Sequence, residues 1–287
     1  MIATTEPWPE LQPTLRSLDD QVAALGGELI VADGDGAGGP EAPTRSPLQR
    51  VVRPGASVFE LRAAGAATAQ GRVVAVTEDH CLAEPGWAAG HVDAHRRRPD
   101  AAAIAGAITN GSRARLVHWA SYLLTFAEFA PPLRDTHGSR VPPPANVSYK
   151  REVLEEPVLR VAGMELELIG RLVREGRVDL VNGITMAHVQ PYSLRAAVAA
   201  HFHNGRATFG LEGDSVPRGR ALARELARRA PLPRALVAET RVAMAGKRLG
   251  RRARASLPLV LLLALAHTAG ECAGLLAGPG RSPARLN

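Results

Sequence analysis

The residues best equipped for chemistry stand at the end of an apolar run. Residues 73–76, Val-Val-Ala-Val, lead into Thr77-Glu78-Asp79-His80, four consecutive side chains with oxygen or imidazole ligand atoms. A short run without polar alternation fits a strand covered on both faces, as in a parallel sheet. Such sheets bind ligands just beyond the carboxyl ends of their strands. An acidic, solvated turn after a strand is the other reading of the same residues. Three further sets fall at comparable positions: Thr4-Thr5-Glu6, Asp33-Gly34 at the head of Asp33-Gly34-Asp35-Gly36, and Arg62. On a parallel sheet all of them would line one crevice. Carboxylates, hydroxyls and glycines there suit a nucleotide held with a divalent cation, Mn2+ or Mg2+, because hard cations take carboxylate and phosphate oxygens. Taken alone, Asp-Gly-Asp-Gly is more often a simple turn.

The elements that would position these groups alternate along the chain. Residues 1–5 read as a very short strand, which implies a stunted sheet edge or a start upstream of Met1. Residues 7–25 place Trp8, Leu11, Leu15, Leu18, Val22 and Leu25 at helical spacing, and Gly26-Gly27 stops the helix. A strand over 28–32 ends at Asp33, a Gly- and Pro-rich loop runs to Pro47, and a third strand covers 49–52. Ser57 with Glu60 three residues later forms a capping box for a helix over 57–67. Pro85-Gly86 opens a helix over 86–97, and an apolar strand follows over 101–109. This alternation predicts an α/β fold with a mainly parallel, doubly wound, Rossmann-like sheet flanked by helices. In the second half the same criteria give helices over 115–129, 164–175 and 192–209, and short strands over 145–149, 178–181 and 185–189.

At 287 residues with 46% hydrophobic and 22% charged residues, the chain has the composition of a folded protein and room for one large domain or one domain plus an appendage. Cys81 and Cys272 lie far apart in unlike settings, as expected of reduced thiols in a cytosolic protein. No secretory leader pattern stands at the amino end. The net charge of +7 has an address. Between Arg218 and Arg254 the basic residues are opposed only by Glu225 and Glu239. No aromatics interleave with these arginines, so base stacking is unsupported and nucleic acid is an unlikely partner. Beyond Ser256 the stretch 257–276 is apolar apart from polar residues such as Glu271. It is just long enough to span a bilayer, where about 20 apolar residues are needed, and the arginines before it suit a cytoplasmic flank. Glu271 would be costly in lipid unless paired. A helix on a membrane surface, a true span, and a helix packed on the soluble domain all remain open. Composition thus divides the chain at 1–210, a basic helical segment 211–255, an apolar helix 256–278 and a tail 279–287.

In order and spacing, residues 1–210 resemble the family 2 glycosyltransferases, whose fold is called GT-A. Ile30-Val-Ala-Asp33-Gly34 resembles the Val-Asp-Asp-Gly signature of that family's second strand, and Gly55 through Arg62 to Gly65 the segment before its metal strand. Val76-Thr-Glu-Asp79 with Pro85-Gly86-Trp87 resembles its Asp-x-Asp motif and the Pro-Gly-Trp that often follows. Ala145-Asn146-Val-Ser-Tyr-Lys-Arg151 is similar to Gly-Ala-Asn-x-x-x-Arg-Arg. Glu165-Leu-Glu167-Leu-Ile-Gly-Arg171-Leu172 resembles the Glu-Asp-x-Asp-Leu-x-x-Arg-Leu helix start. His188 matches a late histidine, and the stretch from His201 to Arg206 the closing Gln-x-x-Arg helix. Two departures stand out. Thr77 replaces the first Asp of Asp-x-Asp, and Met164-Glu165 replaces the Glu-Asp pair.

The resemblance implies an inverting transfer of a sugar from a nucleotide-diphosphate sugar, with a divalent cation, Mn2+ or Mg2+, stabilising the departing diphosphate. It places Asp79 on the metal and Glu78 nearer the ribose, with His188 on the metal or the diphosphate, or else simply buried and hydrogen-bonded. His80 is either an added ligand or an ordinary hydrogen-bonded imidazole. A base must deprotonate the acceptor hydroxyl, and the resemblance points to Glu165 first and Glu167 second. Their alternative is as plain helix N-terminal acids favoured by the dipole. Thr4, Thr5, Glu6, Asp33, Gly34 and Arg62 would hold the nucleotide, Asn146 the sugar, acceptor or its own loop, and Arg206 the diphosphate. The basic segment and apolar tail suggest a lipid-linked or envelope glycan acceptor and a place at the inner face of the cell membrane. A GT-A domain that binds without catalysing is the rival expectation.

Overall fold

The computed structural model describes residues 1–40, 42–134, 141–154, 167–211 and 220–285. In chain order the first elements are β1 (Ile2–Thr4), α1 (Trp8–Ala23), β2 (Leu29–Asp33), β3 (Leu48–Val52), α2 (Val58–Thr68), β4 (Val73–Glu78), β5 (Cys81–Ala83), α3 (Trp87–Arg97) and β6 (Ala103–Asn110). After them come α4 (Leu116–Phe126), β7 (Val147–Lys150), α5 (Arg151–Leu154), α6 (Ile169–Arg174) and β8 (Val178–His188). The remainder is helical: α7 (Leu194–Leu211), α8 (Arg220–Arg229), α9 (Leu232–Met244), α10 (Gly250–Ala255) and α11 (Leu257–Ala277). Two compact units emerge, Met1–Gly111 with Phe129–Val189, and Ser112–Glu128 with Gln190–Leu286. The helices α4 and α7, which composition groups with the first domain, pack with the carboxyl-terminal helices instead.

The first unit is built on an eight-stranded sheet in the order β3-β2-β1-β4-β7-β6-β8-β5. The half from β3 to β4 is parallel, as the alternation of elements predicts. In the other half only β6 and β8 are parallel. β7 runs antiparallel to both β4 and β6, and β5 antiparallel to β8, so the sheet is mixed rather than mainly parallel. A parallel neighbour needs a crossover over the sheet face, usually a helix. The helix between β6 and β7 is α4, which belongs to the second unit. β1 is also not an edge strand. Its three buried residues are hydrogen-bonded between β2 and β4, with Ile2 opposite both Val31 and Thr77. The core beneath this sheet gathers Ile30, Val74, Val76, Val147, Tyr149, Ile169, Leu172 and Val178.

Local signals hold well. Ser57 caps α2 with both arms of the capping box in place, the Ser57 amide donating to Glu60 Oε2 at 2.8 Å. The two short strands expected over 178–189 are one long strand, β8, whose register against β6 shifts at Gly106/Ala107. Gly106 is required there, because a Cβ would lie 2.3 Å from the Ile184 carbonyl oxygen and 2.4 Å from Asn146 Nδ2.

The second unit is helical. α11 lies against α7 at two glycines: a Cβ on Gly205 would sit 2.2 Å from the His267 carbonyl oxygen, and one on Gly270 2.0 Å from that of Phe202. Glu271, the polar residue awkward for a bilayer span, is 5% exposed and lies 3.2 Å from His267 Nε2 and 3.5 Å from Arg229 Nε of α8. Ser121 Oγ on α4 meets His201 Nε2 on α7 at 3.0 Å. By length and composition α11 could cross a membrane, yet Val260, Leu263 and Ala264 are fully buried within this unit. Leu261, Leu262 and Leu265 point outward at 39%, 39% and 51% exposure.

Candidate metal centre

The parallel register of β2, β1 and β4 sets Thr4 opposite Asp33 and Ala3 opposite Glu78, so three strand ends finish at one edge. The chain then turns at Asp79-His80 into β5. Antiparallel pairing of β5 with β8 sets Cys81 opposite His188, which returns the last residue of β8 to the end of β4. Glu78, His80 and His188 thereby meet, with one ligand atom of each within 4.8 Å of the others. His80 Nε2 is 2.9 Å from His188 Nε2, His188 Nε2 is 3.2 Å from Glu78 Oε2, and His80 Nε2 is 3.6 Å from that oxygen. Donor atoms bound at about 2.1 Å to one ion lie about 3.0–3.4 Å apart in octahedral or tetrahedral geometry, and the three separations here come within a few tenths of an ångström of that. Two imidazoles with one carboxylate suit Mn2+ or Zn2+ better than the all-oxygen preference of Mg2+.

Asp79 is placed differently from the expectation that it holds the metal directly. Its Oδ2 accepts from Thr4 Oγ1 at 2.6 Å, and its Oδ1 meets His80 Nδ1 at 2.7 Å. The residue is 5% exposed and does not join the three-ligand group among the described residues. A carboxylate taking Nδ1–H fixes the imidazole tautomer and aims the Nε2 lone pair outward, the usual outer support of a metal-ligating histidine. Thr14 Oγ1 in turn donates to the Asp79 carbonyl at 2.5 Å.

Electrostatics at the cluster follow from these contacts. Burial raises the Glu78 carboxyl, but the His188 hydrogen bond, then His80 and Arg62, outweigh it and hold its pKa at about 2. Arg62, 5% exposed on α2, pairs with Glu78 Oε1 at 3.0 Å. Burial lowers His188 to about 4, helped by the neighbouring His80. Burial also lowers His80, yet Asp79 and then Glu78 reverse that effect and leave it raised. At neutral pH the cluster is therefore an anionic carboxylate beside a neutral His188.

The other expected residues divide. Asp33 is fully buried, and its carboxylate accepts from Trp8 Nε1 at 2.9 Å, Arg50 Nε at 2.8 Å and the amides of Asp35 and Gly36. Burial raises its pKa, and the Gly36 amide with Arg50 and Trp8 more than offsets this, leaving it lowered. Gly34 lies where a Cβ would meet Leu61 Cδ1 at 3.0 Å and Thr5 Cγ2 at 3.3 Å. The Glu6 amide donates to Thr4 Oγ1 at 3.0 Å. Thr77, standing where an Asp was expected, ties β4 to the segment before β7 through a 2.9 Å bond to the Ala145 carbonyl.

Of the expected places for Asn146, on the sugar or acceptor or satisfying backbone, its contacts match the second, though with backbone of β6 and β8 rather than its own loop. Asn146 is 1% exposed; Oδ1 accepts from Trp87 Nε1 at 2.8 Å and His91 Nε2 at 3.1 Å, and Nδ2 donates to the Ala107 and Ile184 carbonyls at 2.8 and 3.2 Å. Both lone pairs and both hydrogens are spent. The chain continues through Ser148 Oγ, which lies 2.8 Å from His91 Nδ1 and 3.0 Å from His95 Nε2. Trp87, His91 and His95 recur every four residues on α3, a stripe that could have been noticed in the sequence.

Arg206 lies in the second unit, where its Nε donates to the Gly278 carbonyl at 3.1 Å. Glu167 is exposed, just before α6. Glu165 lies outside the described residues.

No protein-family model matches this chain, and no curated protein does. Among solved structures it is similar to the mannosyltransferase PcManGT from Pyrobaculum calidifontis in complex with GDP-Man and Mn2+, at 18% identity over 98% of this chain and 85% of that one, with a TM-score of 0.49. At that similarity, function has to be read from this chain's own residues.

Proposed function

We infer that this chain is a metal-dependent glycosyltransferase of GT-A type, moving a sugar from a nucleotide-diphosphate sugar to an acceptor hydroxyl. The observation that carries the reading is the convergence of Glu78, His80 and His188 at the end of β4, beside the Thr4 and Asp33 strand ends. A cation held there would supply positive charge for a departing diphosphate. Glu78, His80 and His188 are its ligands, and Asp79 orients His80. Thr5, Glu6, Gly34 and Arg62 flank the nucleotide, with Arg62 keeping Glu78 ionised and in place. Asp33 shapes this wall through the Asp33–Gly36 turn and Arg50. The acceptor's proton goes to Glu165 or Glu167, an assignment supported by the motif resemblance alone, as is inversion at the anomeric carbon.

The test incubates the full chain with Mn2+, Zn2+ or Mg2+ and a panel of nucleotide sugars, following thermal shifts and donor hydrolysis. Binding of a nucleotide sugar that needs Mn2+ or Zn2+ and is lost in His188→Ala is expected. A folded protein that binds none of the panel with any metal defeats the reading. The rival, a GT-A domain that binds without transferring, is favoured by Thr77 in place of an Asp. It gains if the donor binds but Glu165→Gln and Glu167→Gln leave the physiological activity intact.

A further inference from the structure

The loop between α9 and α10, residues 245–249, folds back on itself at Gly246 and Gly250, whose φ values of 75° and 83° lie in the left-handed region that favours glycine. It lines an open cavity of about 690 Å3 within the second unit. Four basic side chains line it, Arg241 from α9, Lys247 and Arg248 from the loop and Arg254 from α10, and no carboxylate does among the described residues. Lys247 is committed to the fold, its ammonium donating to the Ala127 and Glu128 carbonyls at 2.8 and 2.7 Å. Arg241, Arg248 and Arg254 are exposed and make no ion pair among the described residues. Three guanidiniums around one cavity make a site for a polyanionic group such as phosphate.

The floor is apolar, with Met244 and Leu257. Leu257 opens α11, and Leu261 and Leu265 follow at spacings of four on the same face, 39% and 51% exposed, with Leu262 beside them at 39%. An outward leucine stripe thus starts where the cationic cavity ends. That is the arrangement of a head group and its hydrocarbon, and a free anion would have no use for the stripe. We propose that the α9–α10 cavity and the outward leucines of α11 bind the phosphate head group of an anionic lipid at a membrane surface. Guanidiniums take the head group, and the leucines enter the boundary between head groups and acyl chains, with α11 lying on the surface rather than crossing it.

The experiment sediments the full chain with vesicles of phosphatidylcholine alone, and with vesicles in which phosphatidylglycerol replaces a third of it. Binding to the second kind only, weakened by salt, is expected. Each basic residue near an anionic surface contributes about fivefold. Arg248→Gln should therefore weaken partition about fivefold, and the triple change of Arg241, Arg248 and Arg254 to Gln about 100-fold. Leu261→Ser with Leu265→Ser should also release the protein while leaving the charge intact. Circular dichroism establishes that each variant is folded, and Arg248→Lys, which keeps the charge but loses the guanidinium fork, should bind between Arg248→Gln and the wild type. Equal binding to both vesicle types, or wild-type partition by the folded triple variant or by the leucine pair, overturns the proposal. So does displacement by millimolar inorganic phosphate at constant ionic strength, which would assign the cavity to a free anion.

Discussion

Replacing Asn146 by Ala would strand four buried groups at once: the Trp87 and His91 N–H donors and the Ala107 and Ile184 carbonyls. A buried polar group without a partner costs about 1–3 kcal/mol. At the low end, with a water entering the space left, the loss is about 4 kcal/mol. That is a large part of the roughly 5–15 kcal/mol that holds a domain together. Asn146→Asp should be no milder, because a carboxylate oxygen would then face two carbonyl oxygens in place of the amide N–H groups. The assay is urea unfolding followed by tryptophan fluorescence, in which Trp8 and Trp87 report on the first unit, with circular dichroism in parallel. A midpoint within about 1 kcal/mol of wild type, together with lost nucleotide-sugar binding, would refute the scaffold role and return Asn146 to the site.

Three further outcomes are expected. Burial lowers the pKa of His91 to about 3 and of His95 and His201 to about 4; Lys150 adds to the effect at His95 and His267 at His201, while the Asn146 hydrogen bond works against it at His91. These folded pKa values lie below the unfolded one, so stability is intact above about pH 6.5 and falls as the pH drops towards 4, by up to about 1.4 kcal/mol per pH unit for each histidine; melting curves across that range measure it. Mn2+ binding followed by calorimetry should vanish in His80→Ala and His188→Ala but weaken only about 10–100-fold in Asp79→Ala, and complete loss in the last would make Asp79 a ligand itself. Gly270→Ala places a methyl where the Phe202 carbonyl lies 2.0 Å away, which should force α7 and α11 apart and lower stability by about 1–3 kcal/mol or more, read from thermal unfolding.

What the sequence alone determines here is local. Apolar spacing gives α1, an unbroken apolar run gives β4, Pro85-Gly86 gives the start of α3 and Ser57 with Glu60 the start of α2, because those signals are set by neighbours a few residues away. Motif order also puts Glu78, Asp79 and His188 among the candidates, though not their division of labour. Tertiary structure decides the rest. His80 and His188 are 108 residues apart, and only the pairing of β5 with β8 brings them to 2.9 Å. No periodicity announces β5, a three-residue strand held by its partner rather than by its own pattern. The direction of β7 is equally invisible, since a short apolar run reads alike in either orientation. Asn146 has the right type for a sugar contact, but its four partners come from α3, β6 and β8, and their convergence turns a binding side chain into a structural one. Likewise the apolarity of residues 257–277 is plain in the sequence. Which of its leucines are buried and which face outward depends on α7 and Gly205, because the packing of another helix selects the face.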